Sequence, residues 1–204
     1  MVRVILKSAA SSLGALLCAC ALVASQSSPP DSLIDSGQVV VNGHRTSYLI
    51  RHLPVNAFPQ LPSAVQNALT RRGCLIPQTY EAHGPENVVH ASLERRGSSD
   101  WAVLCSANSA VSLLVFFSSN YADPTILASA PETERLQSHG SSNVLGFDWA
   151  IDPASPEEVH EAQLGMRYPP PRLAHDALAD SVIDQRTIYH FYSSNAWTLI
   201  DTED

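Results

Sequence analysis

Lysine is almost absent from this chain. Lys7 is the only lysine among its 204 residues. Beyond that position no side chain can form a Schiff base, hold pyridoxal phosphate, or act as the lysine of a P-loop or a Ser-x-x-Lys hydrolase. The Gly-x-Ser-x-Gly sequence that presents the nucleophile of many hydrolases is missing as well. These absences exclude the amine-dependent enzymes and the nucleophile-elbow hydrolases.

Positive charge is also scarce. The sequence has 12 Lys and Arg against 20 Asp and Glu, and two of the basic residues, Arg3 and Lys7, lie in the N-terminal segment. An acidic chain repels phosphate backbones and anionic headgroups, so we expect no nucleic-acid partner and no polybasic adhesion to membranes. The composition therefore favours a protein partner or a small ligand, with membrane contact only through the signal segment or a lipid anchor.

Long apolar runs are lacking, and the longest one predicts export rather than a membrane span. Leu13–Ala24 carries no charge and is shorter than the roughly 20 residues that a bilayer-spanning helix needs. It follows Arg3 and Lys7 and precedes the polar stretch Ser25–Pro30. This order of basic, apolar and small residues predicts a signal peptide over residues 1–25.

Two processing outcomes stay open for this signal. Cleavage after Val23-Ala24-Ser25 would release a periplasmic or secreted protein. The sequence Leu17-Cys18-Ala19-Cys20 resembles a bacterial lipobox, which would make Cys20 the lipidated residue and anchor the protein to a membrane. We therefore expect an exported protein, with the lipoprotein form as the alternative.

Few cysteines remain after the signal, namely Cys74 and Cys105. An isolated pair in an exported protein predicts a disulfide, with two buried free thiols as the alternative. A metal site is disfavoured because no Cys-x-x-Cys or His-x-x-x-His spacing accompanies the pair.

The remaining sequence predicts a flexible tether over residues 26–36 and a single α+β domain over residues 37–204. Its fold is expected to be an antiparallel, meander-like sheet of about seven or eight strands with two short helices packed on it. The strand predictions are a hairpin around Asn42-Gly43, central strands over 87–95, 100–106 and 110–117, a further strand over 124–128, and closing strands over 177–183, 187–192 and 196–200. Residues 129–143 are predicted to be a loop.

Both helix predictions depend on end signals. Pro62 begins the first helix, whose apolar residues Leu61, Val65 and Leu69 recur every four positions, and Gly73 ends it. The second follows a capping box at Ser155-Pro156-Glu157-Glu158 and is predicted to reach about Leu164.

One stretch has a family resemblance. The sequences Gly73–Gln78, Asn87–Val89 and Asp100–Cys105 are similar to those of uncharacterised bacterial exported proteins. The resemblance covers roughly residues 54–117, agrees with export, and implies no activity.

Candidate catalytic residues are His90, His190 and Asp176, to which Cys105 is added if the central and closing strands meet. The histidines lack a diagnostic spacing, and half-buried strand histidines are the competing interpretation. Other patterns are interpreted as turns or solvated charges: Gly97–Asp100, His139–Ser142, Glu157 with His160, and His175 beside Asp176, Asp180 and Asp184. No metal ligand set and no cofactor is assigned.

Aromatic residues offer a binding signal beside a structural one. Trp101, Trp149 and Trp197 lie in or near predicted strands, and Tyr189 and Tyr192 accompany Trp197 in the last hairpin. Exposed aromatics mark interfaces, whereas buried ones form core.

The sequence thus leaves three hypotheses. The first is a non-catalytic cell-envelope interaction or structural module. The second is a metal- or histidine-dependent hydrolase that uses His90, His190 and Asp176. The third is a small-ligand-binding domain with a sheet face of Trp and Tyr.

Overall fold

The computed structural model describes residues 33–140, 142–164 and 172–201. The predicted signal, Cys20 and the tether up to residue 32 lie outside these residues. Within them, no helix has the length and apolar character needed to cross a bilayer.

Strands dominate the described residues. They are β1 (Leu33–Val41), β2 (His44–Pro54), β3 (Leu75–Gln78), β4 (Val88–Ala91), β5 (Asp100–Ala107), β6 (Ala110–Phe117), β7 (Asn120–Pro131), β8 (Leu136–Ser138), β9 (Val144–Phe147), β10 (Trp149–Ala154), β11 (Ala177–Val182), β12 (Arg186–Ser193) and β13 (Ala196–Asp201). The helices are α1 (Ser63–Arg71) and α2 (Pro156–Ala162), with short 3₁₀ turns at Val55–Ala57 and Glu132–Glu134.

These strands form two sheets. The nine-stranded sheet runs β7-β6-β5-β3-β2-β9-β8, with β1 added to β2 and β4 added to β5, and the four-stranded sheet runs β10-β11-β12-β13. One pair is parallel: Ser47–Leu49 of β2 lies beside Val144–Gly146 of β9. The prediction of one antiparallel, meander-like α+β sheet is therefore wrong, because the chain is mostly β and divides its strands between a large mixed sheet and a smaller antiparallel one.

The first hairpin forms where it was predicted. Asn42 and Gly43 have φ of 50° and 81°, the positive values that a two-residue hairpin turn requires. β1 begins at Leu33, so residues 33–36 belong to a strand and not to the predicted tether. Strand pairing with β2 over the whole of β1 accounts for this difference.

The helix α1 covers one face of the large sheet. Its buried residues Val65 and Leu69 belong to a core that includes Phe58, Trp101 and the two cysteines. The predicted disulfide is confirmed: Cys74 and Cys105 are bonded, with their Cα atoms 5.1 Å apart. The bridge ties the end of α1 to β5.

A second core lies on the opposite face of β5, where the small sheet packs. It contains Leu104, Leu113, Phe147, Trp149 and Leu178, with further side chains from both sheets. The two cores follow the alternation of strand side chains, since Trp101, Val103 and Cys105 face α1 whereas Ala102 and Leu104 face the small sheet.

Two local predictions are corrected. The strand predicted over 87–95 ends at Ala91, because the amides of Leu93 and Glu94 donate to the buried carboxylate of Asp100 instead of to a neighbouring strand. The loop predicted over 129–143 contains the end of β7, the 3₁₀ turn and β8. This prediction was wrong because the segment is polar. The strands β7 and β8 lie at sheet edges, where strand side chains are solvated and can therefore be polar.

Candidate functional site

A groove lies where β2, β3 and β9 meet, on the face of the large sheet that carries α1. We call it the Arg51 groove. Its volume is about 420 Å³, a size that suits a small ligand or a single side chain. It is lined by Ile34, Leu49, Arg51, Gln78, Thr79, Tyr80, Ala82, His139, Ser142 and Val144–Phe147.

The guanidinium of Arg51 is the only formal positive charge in this lining. Nη2 donates to the carbonyl oxygen of Ala82 at 3.0 Å, and no carboxylate of the described residues pairs with Arg51. A guanidinium has five N–H donors, so the described residues leave most of its binding capacity unused. A free fork of this kind fits a carboxylate or another oxyanion.

Two rings form one wall of the groove. Tyr80 and His139 are stacked with their centroids 4.3 Å apart and their planes 3° from parallel. The stack sits on Gly146, where a Cβ atom would lie 2.4 Å from Cβ of Tyr80. Only glycine therefore allows Tyr80 to approach β9 this closely.

The strand-to-turn segment after β3 is fixed by internal hydrogen bonds. Nε2 of buried Gln78 donates to the carbonyl oxygen of Glu86 at 3.1 Å, and Oε1 of Gln78 accepts from the Glu86 amide at 2.9 Å. Oε1 of Glu86 accepts from the amide of Thr79 at 2.9 Å and from its hydroxyl. These bonds fix the backbone directly before Tyr80.

Apolar side chains form the outer rim. Leu49, Ile34 and Val144 are 46%, 54% and 39% exposed. The groove thus combines an available cation, a ring stack and an apolar rim. Burial raises the pKa of the Tyr80 phenol, with the nearby acids Glu81, Asp184 and Asp148 adding to the effect, so the phenol is neutral at physiological pH.

A second polar cluster lies on the other face of the sheet. Nε2 of His52 is 2.8 Å from Oε1 of Glu132, and the hydroxyl of Ser106 donates to the same oxygen. Burial raises the pKa of Glu132, but the hydrogen bonds from His52 and Ser106 and the proximity of His52 outweigh it, so the net pKa is lowered. A cavity of about 270 Å³ borders these residues.

This cluster contains the residue types of a catalytic triad in the wrong order. In a triad the histidine lies between the hydroxyl and the acid, so that it can take the hydroxyl proton. Here Glu132 lies between His52 and Ser106, and both donate to it. The arrangement stabilises a buried carboxylate. The base in contact with Ser106 is Glu132, whose lowered pKa makes it a weak acceptor of the hydroxyl proton.

The predicted catalytic residues each have other hydrogen-bond partners. Nε2 of His90 lies 2.7 Å from Oγ of Ser99, and its ring stacks on Trp101. Nε2 of His190 lies 3.0 Å from Oδ2 of Asp180. No hydrogen bond joins any two of His90, His190 and Asp176, so their shared role stays a prediction without geometric support.

Asp176 does line a cavity, of about 590 Å³. Its Oδ2 accepts from the amide of Ser92 at 2.9 Å, and Arg96, Glu157 and His175 lie around it. Because acids and a cation share this lining, it offers no single charge to a ligand.

The remaining candidate residues lie in separate structural settings and not in one common site. Cys105 is in the disulfide. Asp180 accepts from Nε1 of Trp149 at 2.6 Å, and Asp184 has φ of 58° in the turn after β11, so the acids of the predicted stripe lie in different environments. Within the described ranges, no three His, Cys, Asp or Glu side chains are grouped closely enough to hold a metal ion.

The tryptophans contribute mostly to the core. Trp149 is fully buried, with the guanidinium of Arg135 4.0 Å above its ring, and Trp101 is 6% exposed. Trp197 packs against Phe117 and Tyr192. The predicted Trp-lined binding face therefore does not coincide with the Arg51 groove.

The sequence did not identify the groove: Arg51 and Tyr80 were not singled out, and His139–Ser142 was interpreted as a turn. Arg51 is one arginine among several in strands, and Tyr80 and His139 are far apart in sequence. A local signal was present at Gly146, a glycine inside an apolar run, which often marks a close approach of another group. That signal identifies the position but not the residue that approaches it.

Comparison with family models, with curated proteins and with solved structures gives no significant match. The resemblance of residues 54–117 to exported bacterial proteins therefore stays a prediction, and function is argued from the groove itself.

Proposed function

We propose that this chain is an exported, non-catalytic binding module whose ligand is an organic anion held in the Arg51 groove. The observation that carries the proposal is the Arg51 guanidinium, which lies in a groove with an apolar rim and has no carboxylate partner among the described residues. Export is supported by the predicted signal and by the Cys74–Cys105 disulfide, since such bonds persist in oxidising compartments.

The ligand chemistry follows from the lining. Arg51 would bind a carboxylate in bidentate fashion, and His139 supplies a further polar edge. Leu49, Ile34 and Val144 would cover an aliphatic or aromatic body, which removes their exposed apolar surface from water. A carboxylic acid with an apolar body matches both ends of the groove.

The absence of catalysis is part of the proposal. Two histidine–acid pairs that could support hydrolysis, His52 with Glu132 and His190 with Asp180, are buried and bonded to each other. None of these side chains lines the Arg51 groove. We therefore expect binding without turnover.

The test is isothermal titration calorimetry with benzoate and decanoate, followed by turnover assays on any acid that binds. We expect at least one of the two to bind, and Arg51→Gln to weaken its binding by about 10- to 100-fold, because a charge-assisted hydrogen bond is lost. Arg45→Gln is the matched control, since Arg45 lies on the same strand, is exposed and lies outside the groove.

A second variant separates the groove from long-range charge. Gly146→Ala places a methyl group against Tyr80 and should shift the ring stack, weakening binding while leaving the net charge unchanged. If neither acid binds the wild-type protein, or if Arg45→Gln and Arg51→Gln weaken binding equally, the proposal is wrong.

A further inference from the structure

The outer edge of β1 has no partner strand among the described residues. β1 pairs with β2 in an unbroken register from Leu33 to Val41 and has no described strand on its other side. Along an antiparallel strand, the N–H and C=O groups of one residue point to one side and those of the next residue to the other side. About half of these groups in β1 therefore point away from β2. Such an edge is a template for strand pairing.

The other long edge of this sheet is protected, and β1 is not. β7 contains Pro124 and Pro131, and its pairing with β6 is interrupted by two register shifts. Prolines and bulges are devices that prevent pairing at an edge. β1 has nine residues without proline, lysine or a register shift.

The exposed apolar residues of β1 are arranged symmetrically. Leu33, Ile34, Val40 and Val41 are 50%, 54%, 69% and 41% exposed, and Gly37 lies at the centre between them. If two copies of β1 run antiparallel with Gly37 opposite Gly37, Leu33 faces Val41 of the second copy and Ile34 faces its Val40. Directly opposite side chains share a face, so all four become cross-strand pairs.

Charge is compatible with this pairing. Asp35 is the only charged residue of β1, and in this register it faces Val39 of the second copy, so the two acids are not opposed. The hairpin also carries Arg45 and Arg51 on β2. Two copies therefore meet at a part of the surface that lacks the acidic excess of the whole chain.

We propose that the protein forms a two-fold symmetric homodimer by antiparallel pairing of β1 with β1 of a second copy. The pairing uses the same edge of both copies, so it closes at two and does not propagate. It joins the two large sheets into one. Val40 of the second copy then lies beside Ile34, at the outer rim of the Arg51 groove.

The dimer is tested by sedimentation velocity of the full, host-processed chain over a wide concentration range. We expect a monomer–dimer equilibrium, and at least a tenfold weaker dimer for Ile34→Lys/Val40→Lys. Both side chains are more than half exposed, so folding should be unaffected. Ile126→Lys on β7 and Leu199→Lys on β13 are matched controls at other edge strands, with side chains 59% and 62% exposed.

The register has its own test. Ser36 faces Gln38 of the second copy, so a mixture of the Ser36→Cys and Gln38→Cys proteins should form a disulfide-linked dimer on mild oxidation. Neither protein alone should do so to the same extent. A wild-type chain that stays monomeric, or a dimer lost in either control but kept in Ile34→Lys/Val40→Lys, overturns the proposal. Equal cross-linking of Ser36→Cys alone overturns the register.

Discussion

The side-chain amide of Asn87 donates a hydrogen bond from Nδ2 to the carbonyl oxygen of Trp149, with a separation of 3.2 Å. Oδ1 of Asn87 accepts from the amide of Ile151 at 3.1 Å, and Nδ2 also donates to the carbonyl oxygen of Pro77 at 2.8 Å. One buried side chain thus joins β10 of the small sheet to β3 of the large sheet. Its φ of 67° is a conformation that asparagine tolerates better than most residues.

Replacement of Asn87 should destabilise the junction between the sheets. We expect Asn87→Ala to lower the free energy of unfolding by about 3 kcal/mol, because buried main-chain groups lose partners and alanine is strained at positive φ. Asn87→Gly loses the same hydrogen bonds without the strain and should cost about 1 kcal/mol less. Urea denaturation measures both, and equal stability of the wild-type protein and Asn87→Ala would contradict the role assigned to this side chain.

Glu132 should stabilise the protein at neutral pH and lose this effect in acid. Its folded-state pKa is lowered, so the contribution is complete above the pKa of the unfolded chain, near 4.5, and is lost as the pH falls through the folded value. Glu132→Gln should cost about 1–3 kcal/mol at pH 7, and this cost should shrink in acid. Glu134→Gln, in the same 3₁₀ turn but exposed, is the control. Denaturant titrations at several pH values test this, and a pH-independent cost would refute it.

Asp148 should show the opposite dependence. Burial raises its pKa despite the nearby Arg135, and its Oδ1 has no hydrogen-bond partner among the described residues. The ionised form is therefore unfavourable in the folded state, at a cost that is fully present above the folded pKa, shrinks as the pH falls below it, and is gone below the pKa of the unfolded chain. We expect Asp148→Asn to raise stability by about 1 kcal/mol at pH 7 and to give no gain in strong acid.

The control for Asp148 is Asp123→Asn, an exposed acid on β7. Thermal unfolding followed from pH 7 downward compares the two variants with the wild-type protein. A loss of stability in Asp148→Asn at pH 7 would show that attraction to Arg135 outweighs desolvation.

Removal of the disulfide should weaken the fold without changing its architecture. Cys74 and Cys105 are separated by 31 positions, which corresponds to roughly 3–4 kcal/mol on the chain-entropy account. The double variant Cys74→Ala/Cys105→Ala should lose about this much in denaturant titration. Reduction of the wild-type protein should give a similar loss, and no change in either case would mean that the bridge adds nothing to stability.

The sequence predicts features that depend on neighbouring residues. Asn42-Gly43 gives the first hairpin, and the capping box formed by Ser155 and Glu158 gives α2 with both of its hydrogen bonds. The pairing of Cys74 with Cys105 follows from their isolation in a chain that is predicted to be exported. Each of these signals acts over a few residues or has only one available partner.

Features that depend on distant residues were not predictable in the same way. The parallel pairing of Ser47–Leu49 with Val144–Gly146 and the division into two sheets have no local pattern. The Arg51 groove has the same origin. Tyr80 follows β3 and His139 follows β8, and the two rings meet only at Gly146 of β9. Solvated strands at sheet edges, such as β8, have the composition of loops, which explains the wrong loop prediction.

The parallel contact between β2 and β9 has a kinetic consequence. Until Val144–Gly146 is available, the inner edge of Ser47–Leu49 has no partner, so the first half of the chain cannot complete the sheet by itself. Non-local pairing of this kind slows folding to the millisecond-to-second range or longer. The large sheet is therefore completed only after residues 144–146 have been synthesised.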